Sequence, residues 1–188
     1  MDKLLKFNNK LVKSGNGIVG KIPSVKIGNQ IWTSENLNIN DGLDGIYVKD
    51  IGTSYDFDYN KTSNYFYTYT AAKRIVDTIP GWRIPTKEDF EILFSTINND
   101  ASKLKTQTGW SKESYVGTNE TGFSLPGGGW VGGFNKTLNN FGYTCRIWSS
   151  TLEGSTECWA LNFEGRNTRW DYYNKNSAAF YVRLIKDS

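Results

Sequence analysis

The C-terminal quarter of the chain contains four short apolar segments separated by turn residues, and this succession constrains the fold most. The segments are RIWSST, CWALNFE, RWDYY and AFYVRLI. In CWALNFE and AFYVRLI, large apolar side chains occupy alternate positions, which is the period of a strand with one buried face. Short turns join neighbouring strands antiparallel. We therefore expect a meander of half-buried antiparallel strands.

The strongest helix candidate lies in the middle of the chain, in PTKEDFEILFSTI. Thr86 precedes the apolar positions and Asp89 follows three residues later, which is the pattern of a capping box. The large apolar residues recur at the spacing of one helix face: Phe90, Leu93, Phe94 and Ile97. The pattern predicts an amphipathic helix that faces the core.

Weaker patterns precede this helix. A shorter helix is predicted from about Ala71 to Thr78, with Thr70 as its N-cap and with its inner side formed by Ile75, Val76 and Ile79. Residues 41–69 are rich in turn residues and predict a long irregular loop with short strands at most. Apolar residues on both sides of Gly28-Asn29 predict a β-hairpin. The fold class that follows is α+β.

The N-terminal segment differs from the rest in composition. Residues 1–23 hold short apolar pieces among Lys, Asn and Gly, and Asn16-Gly17 is a tight-turn dipeptide. We predict an arm or attachment segment at 1–23 and one domain at 24–188. The segment has no apolar run of signal-peptide or membrane-spanning length. We expect no membrane insertion, and either a protein that leaves its cell without a signal, as virion proteins do, or a chain whose leader has been cut.

The chain contains no histidine, which removes the Ser–His, Cys–His and His–metal mechanisms. Cys145 and Cys158 are the two cysteines. They could pair across neighbouring strands or stay reduced as small buried hydrophobes. Arg146 lies next to Cys145, and a reactive thiol needs such an electropositive neighbour, but the cysteines form no motif that we can match. We expect no enzymatic activity.

Other candidate ligand sites have a simpler interpretation. Asp56 and Asp58 in YDFDYN could bind Ca²⁺ or act in acid–base catalysis, but the Gly and distal Glu of an EF-hand loop are absent. Gly127–Gly129 lacks the Lys-Ser/Thr of a phosphate cradle, and no helix follows it. The net charge is +3, without a basic run. We therefore expect no metal, no cofactor and no nucleic-acid partner.

Five blocks of sequence, in this order, resemble a known family. They are VKIGNQIWTSENLN, GWRIPTKEDFEIL, GFSLPGGGW, IWSST and YVRLIKD, and together they span Val25 to Asp187. The chain resembles the major paralogous domain first noted in Fibrobacter. That resemblance implies a C-type-lectin-like fold with two helices, a small antiparallel sheet and long loops. The same scaffold occurs in formylglycine-generating enzymes and in variable proteins of diversity-generating retroelements.

The resemblance also implies which positions vary. In retroelement-diversified members, substitutions concentrate between the WSST and VRL blocks, which is Leu152 to Tyr181 here. The candidate ligand-binding positions are Glu153, Asn162, Glu164, Arg166, Asn167, Arg169, Trp170, Asp171, Tyr172, Tyr173, Asn174 and Asn176. The implied fixed scaffold consists of Trp148, Trp159, Leu161, Val182 and Leu184. The calcium motifs of lectins, Glu-Pro-Asn and Trp-Asn-Asp, are absent from the chain.

Strand alternation divides the stretch RNTRWDYYNKN into two faces. It predicts that Trp170 and Tyr172 point into the core and that Arg169, Asp171 and Tyr173 face outward. A polar segment rich in Tyr, Trp, Asn and Arg is typical of recognition surfaces. We expect a protein or glycan receptor as partner, with a homotrimer as one assembly. The function predicted is receptor binding at a phage or prophage tail tip; the alternatives are a bacterial surface adhesin or carbohydrate-binding module, and a virion subunit without a ligand.

Overall fold

The computed structural model describes residues 4–7, 10–13, 22–48, 65–132 and 136–187. Within these ranges the chain has two α-helices and several small antiparallel sheets. The mixed α+β class predicted from the sequence is therefore confirmed, with sheet as its larger part. The predicted Asn16-Gly17 turn and the Asp56/Asp58 pair lie outside the described residues.

Three consecutive strands form the predicted meander. They are β10 (Thr144–Glu153), β11 (Glu157–Glu164) and β12 (Asn167–Asn174), in the order β10-β11-β12. Each pairs antiparallel with the next, and Ile147, Leu161 and Trp170 lie side by side across the sheet. The meander is confirmed for RIWSST, CWALNFE and RWDYY.

Both faces of this sheet are covered, so the prediction of half-buried strands is wrong for β11. Leu161 and Phe163 belong to one core cluster, while Cys158 and Ala160 on the opposite face belong to another. Alternation in the sequence fails to show this because Cys and Ala are small enough to pack against a second layer. The sheet thus separates two apolar cores.

Helix α2 (Lys87–Thr96) covers one face of the sheet, and its capping box is confirmed. Thr86 Oγ1 accepts from the Asp89 backbone N–H at 3.1 Å, and Asp89 Oδ2 accepts from the Thr86 N–H at 2.7 Å. Arg83 Nη2 donates to Asp89 Oδ1 at 2.9 Å. Burial would raise the pKa of Asp89, but these hydrogen bonds outweigh burial and hold it below its usual value. Phe90, Leu93 and Ile97 are buried as predicted.

Helix α1 (Tyr69–Val76) begins earlier than predicted. Its N-cap is Thr68, whose Oγ1 accepts from the Ala71 N–H at 3.2 Å, and not Thr70. Thr68 follows a strand directly, and its own N–H donates to Gly45 O at 2.8 Å, which fixes the extended backbone that a cap needs. The predicted inner positions Ile75, Val76 and Ile79 are buried.

A second sheet joins the start of the domain to its end. Its strands are β3 (Ser24–Ile27), β4 (Gln30–Thr33), β13 (Ile185–Lys186) and β7 (Trp82–Arg83), in the order β3-β4-β13-β7. The hairpin at Gly28-Asn29 is confirmed. The prediction that AFYVRLI is one half-buried strand is wrong, since only its last residue is in a strand and all of it is buried.

The remaining strands form three two-stranded ladders. Leu4–Phe7 (β1) pairs with Lys10–Lys13 (β2), so the segment predicted as an arm does contain a hairpin. The other ladders are formed by β5 (Ile46–Val48) with β6 (Tyr65–Tyr67), and by β8 (Trp130–Gly132) with β9 (Thr137–Asn139). Short 3₁₀ turns occur at Ala101–Leu104 and Glu113–Tyr115.

Gly127–Gly129 is structural, as expected. A Cβ on Gly128 would lie 1.9 Å from Tyr181 Oη, and one on Gly129 would lie 2.3 Å from Asn139 O. Gly129 also has a φ of 72°, which favours glycine. The triplet is therefore required for close packing of the chain before β8.

The side chain of Arg183 is completely buried and connects three parts of the domain. Its Nε donates to Asn36 Oδ1 at 2.7 Å, and Nη1 donates to Thr33 O at 3.0 Å. Nη1 and Nη2 also donate to the carbonyl oxygens of Phe123 and Ser124 at 2.6 and 3.0 Å. Burial lowers the pKa of Arg183 to about 10. The fork geometry of a guanidinium lets one side chain satisfy these acceptors together.

Replacing Arg183 with Met should lower the free energy of unfolding by about 3 kcal/mol or more, because buried acceptors lose charged donors. Arg183→Lys should also destabilise, since an ammonium cannot reproduce the fork. Urea unfolding of both variants measures the effect. The control Arg166→Met removes an exposed arginine with one hydrogen bond, to Ser114 O, and should change stability by less than about 1 kcal/mol. Equal losses in Arg183→Met and the control would contradict this role.

The cysteines do not form a disulfide. Both are free and fully buried. Cys145 pairs with Phe163 and belongs to one core, whereas Cys158 belongs to the core on the other face of the sheet. Side chains on opposite faces cannot bridge, so the paired alternative is excluded. Burial raises the pKa of both thiols, to about 12 for Cys158, which removes the thiolate that nucleophilic chemistry needs.

We predict that neither thiol reacts with a disulfide reagent in the native protein, and that both react once the chain is unfolded in guanidinium. Absorbance of the released thiolate measures the reaction. Fast native reaction would contradict the observed burial. A lack of reactive thiols in the unfolded, unreduced chain would instead indicate a disulfide.

Candidate functional site

The twelve candidate ligand-binding positions differ in exposure. Seven are exposed: Glu153, Arg166, Asn167, Arg169, Tyr172, Asn174 and Asn176. Four are partly buried: Glu164, Trp170, Asp171 and Tyr173. Asn162 is completely buried, so the expectation that it is displayed is wrong. Its cross-strand neighbours Arg146 and Arg169 flank it in the middle of the sheet.

The predicted orientation of the two tyrosines in β12 is reversed in the structure. Tyr172 is 50% exposed, whereas Tyr173 packs edge-to-face on Phe180 at 4.9 Å and on Trp148 at 6.4 Å between ring centroids. The reason is that the second core covers the face carrying Tyr173. Trp170 does point inward, with its ring 5.7 Å from that of Phe90.

Trp159, expected to be fixed scaffold, is instead partly exposed beside Tyr172. Their ring centroids lie 5.2 Å apart across β11 and β12. Trp159 Nε1 donates to Glu153 Oε2 at 2.9 Å, and Lys87 Nζ lies 3.8 Å from the Trp159 ring centroid. A firmly held aromatic pair thus reaches the surface next to the N-terminus of α2.

A polar cluster lies on the opposite face of β12. Arg169 pairs with Glu164 at 3.1 Å and with Asp171 at 3.2 Å. Asp171 Oδ2 also accepts from Asn162 Nδ2 at 3.2 Å and from Tyr173 Oη at 3.3 Å. Ion pairs of exposed groups contribute little stability, so this network connects the side chains on that face without holding Arg169 firmly.

Arg146 was not among the predicted site residues, yet it is the most unusual side chain of this face. It is only 7% exposed. Its guanidinium carbon lies 4.0 Å from the Trp130 ring centroid and 5.0 Å from that of Tyr173. No carboxylate of the described residues lies within ion-pair distance of it, and burial lowers its pKa. One signal in the sequence could have pointed to Arg146. It is a charged residue directly before the apolar pair Ile147 and Trp148 in a strand expected to be partly buried.

Several buried polar atoms near Arg146 have no hydrogen-bond partner within the described ranges: Arg146 Nε, Asn162 Oδ1, Trp130 Nε1 and Thr144 Oγ1. Thr144 and Arg146 alternate along β10 on one face, and Asn162 lies opposite Arg146. Most buried polar groups in proteins do have partners. We call Trp130, Thr144, Arg146 and Asn162 the Arg146 site, with Glu164, Arg169 and Asp171 as its rim.

The turn between β11 and β12 is held in place by the buried side chain of Lys105. Lys105 is 2% exposed, and its Nζ donates to Gly165 O at 2.6 Å and lies 4.0 Å from the Trp110 ring centroid. Burial lowers the pKa of Lys105 to about 8. Arg166 Nε donates to Ser114 O at 2.9 Å from the same turn. The turn that precedes β12 is therefore anchored on both sides.

Two open cavities border β12. One, of about 270 Å³, lies between α2 and β12 and is lined by Phe90, Glu91, Phe94, Asn99, Leu161, Thr168, Arg169 and Trp170. The other, of about 350 Å³, is lined by Lys105, Glu113, Ser114 and Arg166 together with residues 100–102 and 116. Over the described ranges there is no cluster of three acidic, His or Cys side chains able to hold a metal ion. None of the described helices could span a membrane.

The lowered pKa of Lys105 predicts a pH-dependent stability. An unfolded lysine titrates near 10.4, so between about pH 8 and that value the unfolded chain binds more protons and native stability rises with pH. The cost of burying the charged form is fully present below about pH 8. Urea unfolding at about pH 7 and pH 9.5 should show the stability of the wild type rising relative to Lys105→Met. A constant difference between the two proteins would contradict this.

Comparison with known proteins places the chain in a family. Neither the curated proteins nor the solved structures contain a match to it. The family model described as the Fibrobacter succinogenes major domain matches residues 25–186. The matched range runs from β3 to β13 and includes the whole three-stranded sheet. The chain therefore belongs to the Fibrobacter succinogenes major domain family.

Proposed function

We propose that this chain is a non-catalytic binding protein that recognises a cell-surface molecule through the exposed edge of the three-stranded sheet of a C-type-lectin-like scaffold. This edge consists of β12 and its flanking turns. We call it the β12 surface, and its exposed members are Arg166, Asn167, Arg169, Tyr172, Asn174 and Asn176. The observation that carries the proposal is this row of exposed polar and aromatic side chains on an edge strand whose neighbour β11 is packed on both faces.

A rigid support favours binding because little conformational entropy is lost when a ligand is bound. Directly behind β12, Leu161 and Phe163 are buried on one face of β11 and Ala160 on the other. The Gly165 turn is held by Lys105 and Arg166. Substitutions at exposed positions usually change stability by less than about 0.5 kcal/mol. Such a surface can therefore vary without loss of the fold.

The chemistry of the β12 surface supports recognition. Tyr172 offers a large rigid contact area, and its ring is braced by Trp159. Asn and Arg side chains add adaptable hydrogen bonds, a composition common in binding sites. The cavity between α2 and β12 extends this surface with a lining of apolar and polar side chains, a combination common in ligand sites.

A catalytic role has less support. The thiols are buried with raised pKa values, and the chain lacks histidine. Lys105, whose pKa is lowered by burial, donates a hydrogen bond to the Gly165 carbonyl and lies over the Trp110 ring. These contacts give it a structural task, so we propose binding without turnover.

The biological setting that we propose is a phage or prophage tail tip, with residues 152–181 diversified by a retroelement and with a homotrimer as its assembly. A bacterial surface adhesin or carbohydrate-binding module is the alternative. A nearby template repeat with adenine-biased differences and a reverse transcriptase gene would support diversification, and tail genes would support the phage setting. A lipoprotein leader or polysaccharide-use genes would support the alternative.

Binding of the purified chain to glycan arrays and to intact bacterial cells tests the proposed surface. The double variant Arg169→Ala, Tyr172→Ser removes a cation and an exposed ring, and should weaken binding by about tenfold or more, as loss of interface anchors does. The control Lys73→Ala, Leu43→Ser also removes a cation and an exposed apolar group, but on α1 and in the loop before β5. It should bind like the wild type.

The changed side chains are exposed, so both double variants should unfold at the same urea concentration as the wild type. A loss of binding can then be attributed to the surface and not to unfolding. Undiminished binding by the β12 variant would contradict the proposal. Equal loss in both double variants would contradict it as well, because the ligand would then not be specific for the β12 surface.

A further inference from the structure

We propose that the Arg146 site binds the carboxylate of an acidic saccharide. This inference rests on the proposed binding function and names the class of its ligand. The site lies on the face of the sheet that carries Arg169 and Asp171, and Arg146 on β10 is separated from the edge strand β12 by Asn162 on β11. It includes Trp130, Thr144 and Arg146, which do not belong to the candidate recognition residues.

The first argument is the contrast between two buried arginines. Arg183 is fully buried and donates four hydrogen bonds. Arg146 is 7% exposed, yet its Nε has no acceptor in the part of the chain that the structure describes. Burying an unpaired charge is costly, so buried charges normally have partners. The same fold gives one guanidinium four acceptors, whereas among the described residues the other contacts aromatic rings and its Nε has no acceptor, which leaves it able to bind an external anion.

The second argument concerns the charge of the ligand. Glu164 and Asp171 lie near Arg146, but both are engaged by Arg169 at 3.1 and 3.2 Å. They therefore do not act as direct counter-ions of Arg146. Their charges would repel a dianion or a run of acidic groups. A single carboxylate suits the site, because its two oxygens match the fork of a guanidinium.

The third argument concerns what accompanies the carboxylate. Neither Asn162 Oδ1 nor the Thr144 hydroxyl has a hydrogen-bond partner among the described residues. Asn162 Nδ2 donates to Asp171, so the unused group of this amide is its acceptor, which requires a donor. The rim carboxylates can accept further hydrogens. A sugar acid supplies one carboxylate surrounded by hydroxyl donors, whereas an acidic peptide supplies repeated negative charge without them.

Access requires the movement of one rim side chain. Arg169 is next to Asn162 across the sheet, and its side chain is 55% exposed. Exposed ion pairs of this kind are weak, so Arg169 can leave Asp171 at small cost and hold the incoming carboxylate from the other side. In this arrangement Arg146 binds the carboxylate from the buried side of the site, and the displaced Arg169 binds it from the exposed side.

The test is titration of the ¹⁵N-labelled protein at neutral pH with N-acetylneuraminate and with monomeric galacturonate, each of which carries a single carboxylate. Neutral galactose and a glutamate-rich peptide are the comparison ligands. We expect the Nε–H signal of Arg146 to shift with at least one sugar acid, and that acid to bind about tenfold or more tightly than the neutral sugars. Arg146→Met should lose this preference by about tenfold or more.

Stability separates a binding role from a structural one. Arg146 lacks hydrogen-bonded partners, so Arg146→Met should unfold at the same or a higher urea concentration than the wild type, as happens when a functional polar group is removed. Arg146→Lys keeps the charge but loses the fork, and should bind the acid less well while remaining folded. Destabilised variants combined with an unmoved Arg146 signal would overturn the inference.

The remaining outcomes are also decisive. Equal affinity for acidic and neutral sugars would overturn the inference, and so would preference for the peptide. If cell binding is lost in Arg169→Ala, Tyr172→Ser while no sugar acid binds the wild type, the ligand class is wrong and the proposed function stands. If a sugar acid binds through Arg146 while cell binding does not depend on the β12 surface, the proposed function is wrong.

Discussion

The buried guanidinium of Arg183 is the interaction on which the rest of the domain depends. It holds the end of the first hairpin at Thr33, the loop at Phe123 and Ser124, and the C-terminal segment in one place. The Thr33 side chain also accepts from the Leu184 N–H at 3.1 Å. These contacts join the first strands of the domain to its C-terminal segment. The three-stranded sheet is packed between the two apolar cores.

Elements governed by local chemistry were predictable from the sequence. Helix α2 begins where the capping box of Thr86 and Asp89 requires, and the Gly28-Asn29 hairpin forms because its turn residues allow it. The start of α1 was missed, because Thr68 and Thr70 are equally good caps in isolation and the hydrogen bond to Gly45 selects the first. Tertiary contacts of that kind leave no local trace in a sequence.

The strands that carry the candidate site were predictable from the sequence, but the orientation of their side chains was not. Period-two alternation separates the two faces of a strand but does not show which face is covered, and here the second core covers the face that carries Tyr173. Tyr173 is therefore held by Phe180, while Tyr172 is exposed. Asn162 was expected at the surface and is buried for the same reason. Arg146 was missed because its lack of partners is a property of the folded environment, not of the strand.

The proposed function requires recognition and folding to be separable in this domain. Saturation mutagenesis of residues 152–181, with every variant scored both for folding and for binding to target cells, measures this. Substitutions on the β12 surface should abolish binding while the protein remains folded. Substitutions at Leu161 and Phe163, both buried, should abolish folding and binding together. If binding is lost only in variants that also fail to fold, the β12 surface has no separate role in recognition and the proposed function is wrong.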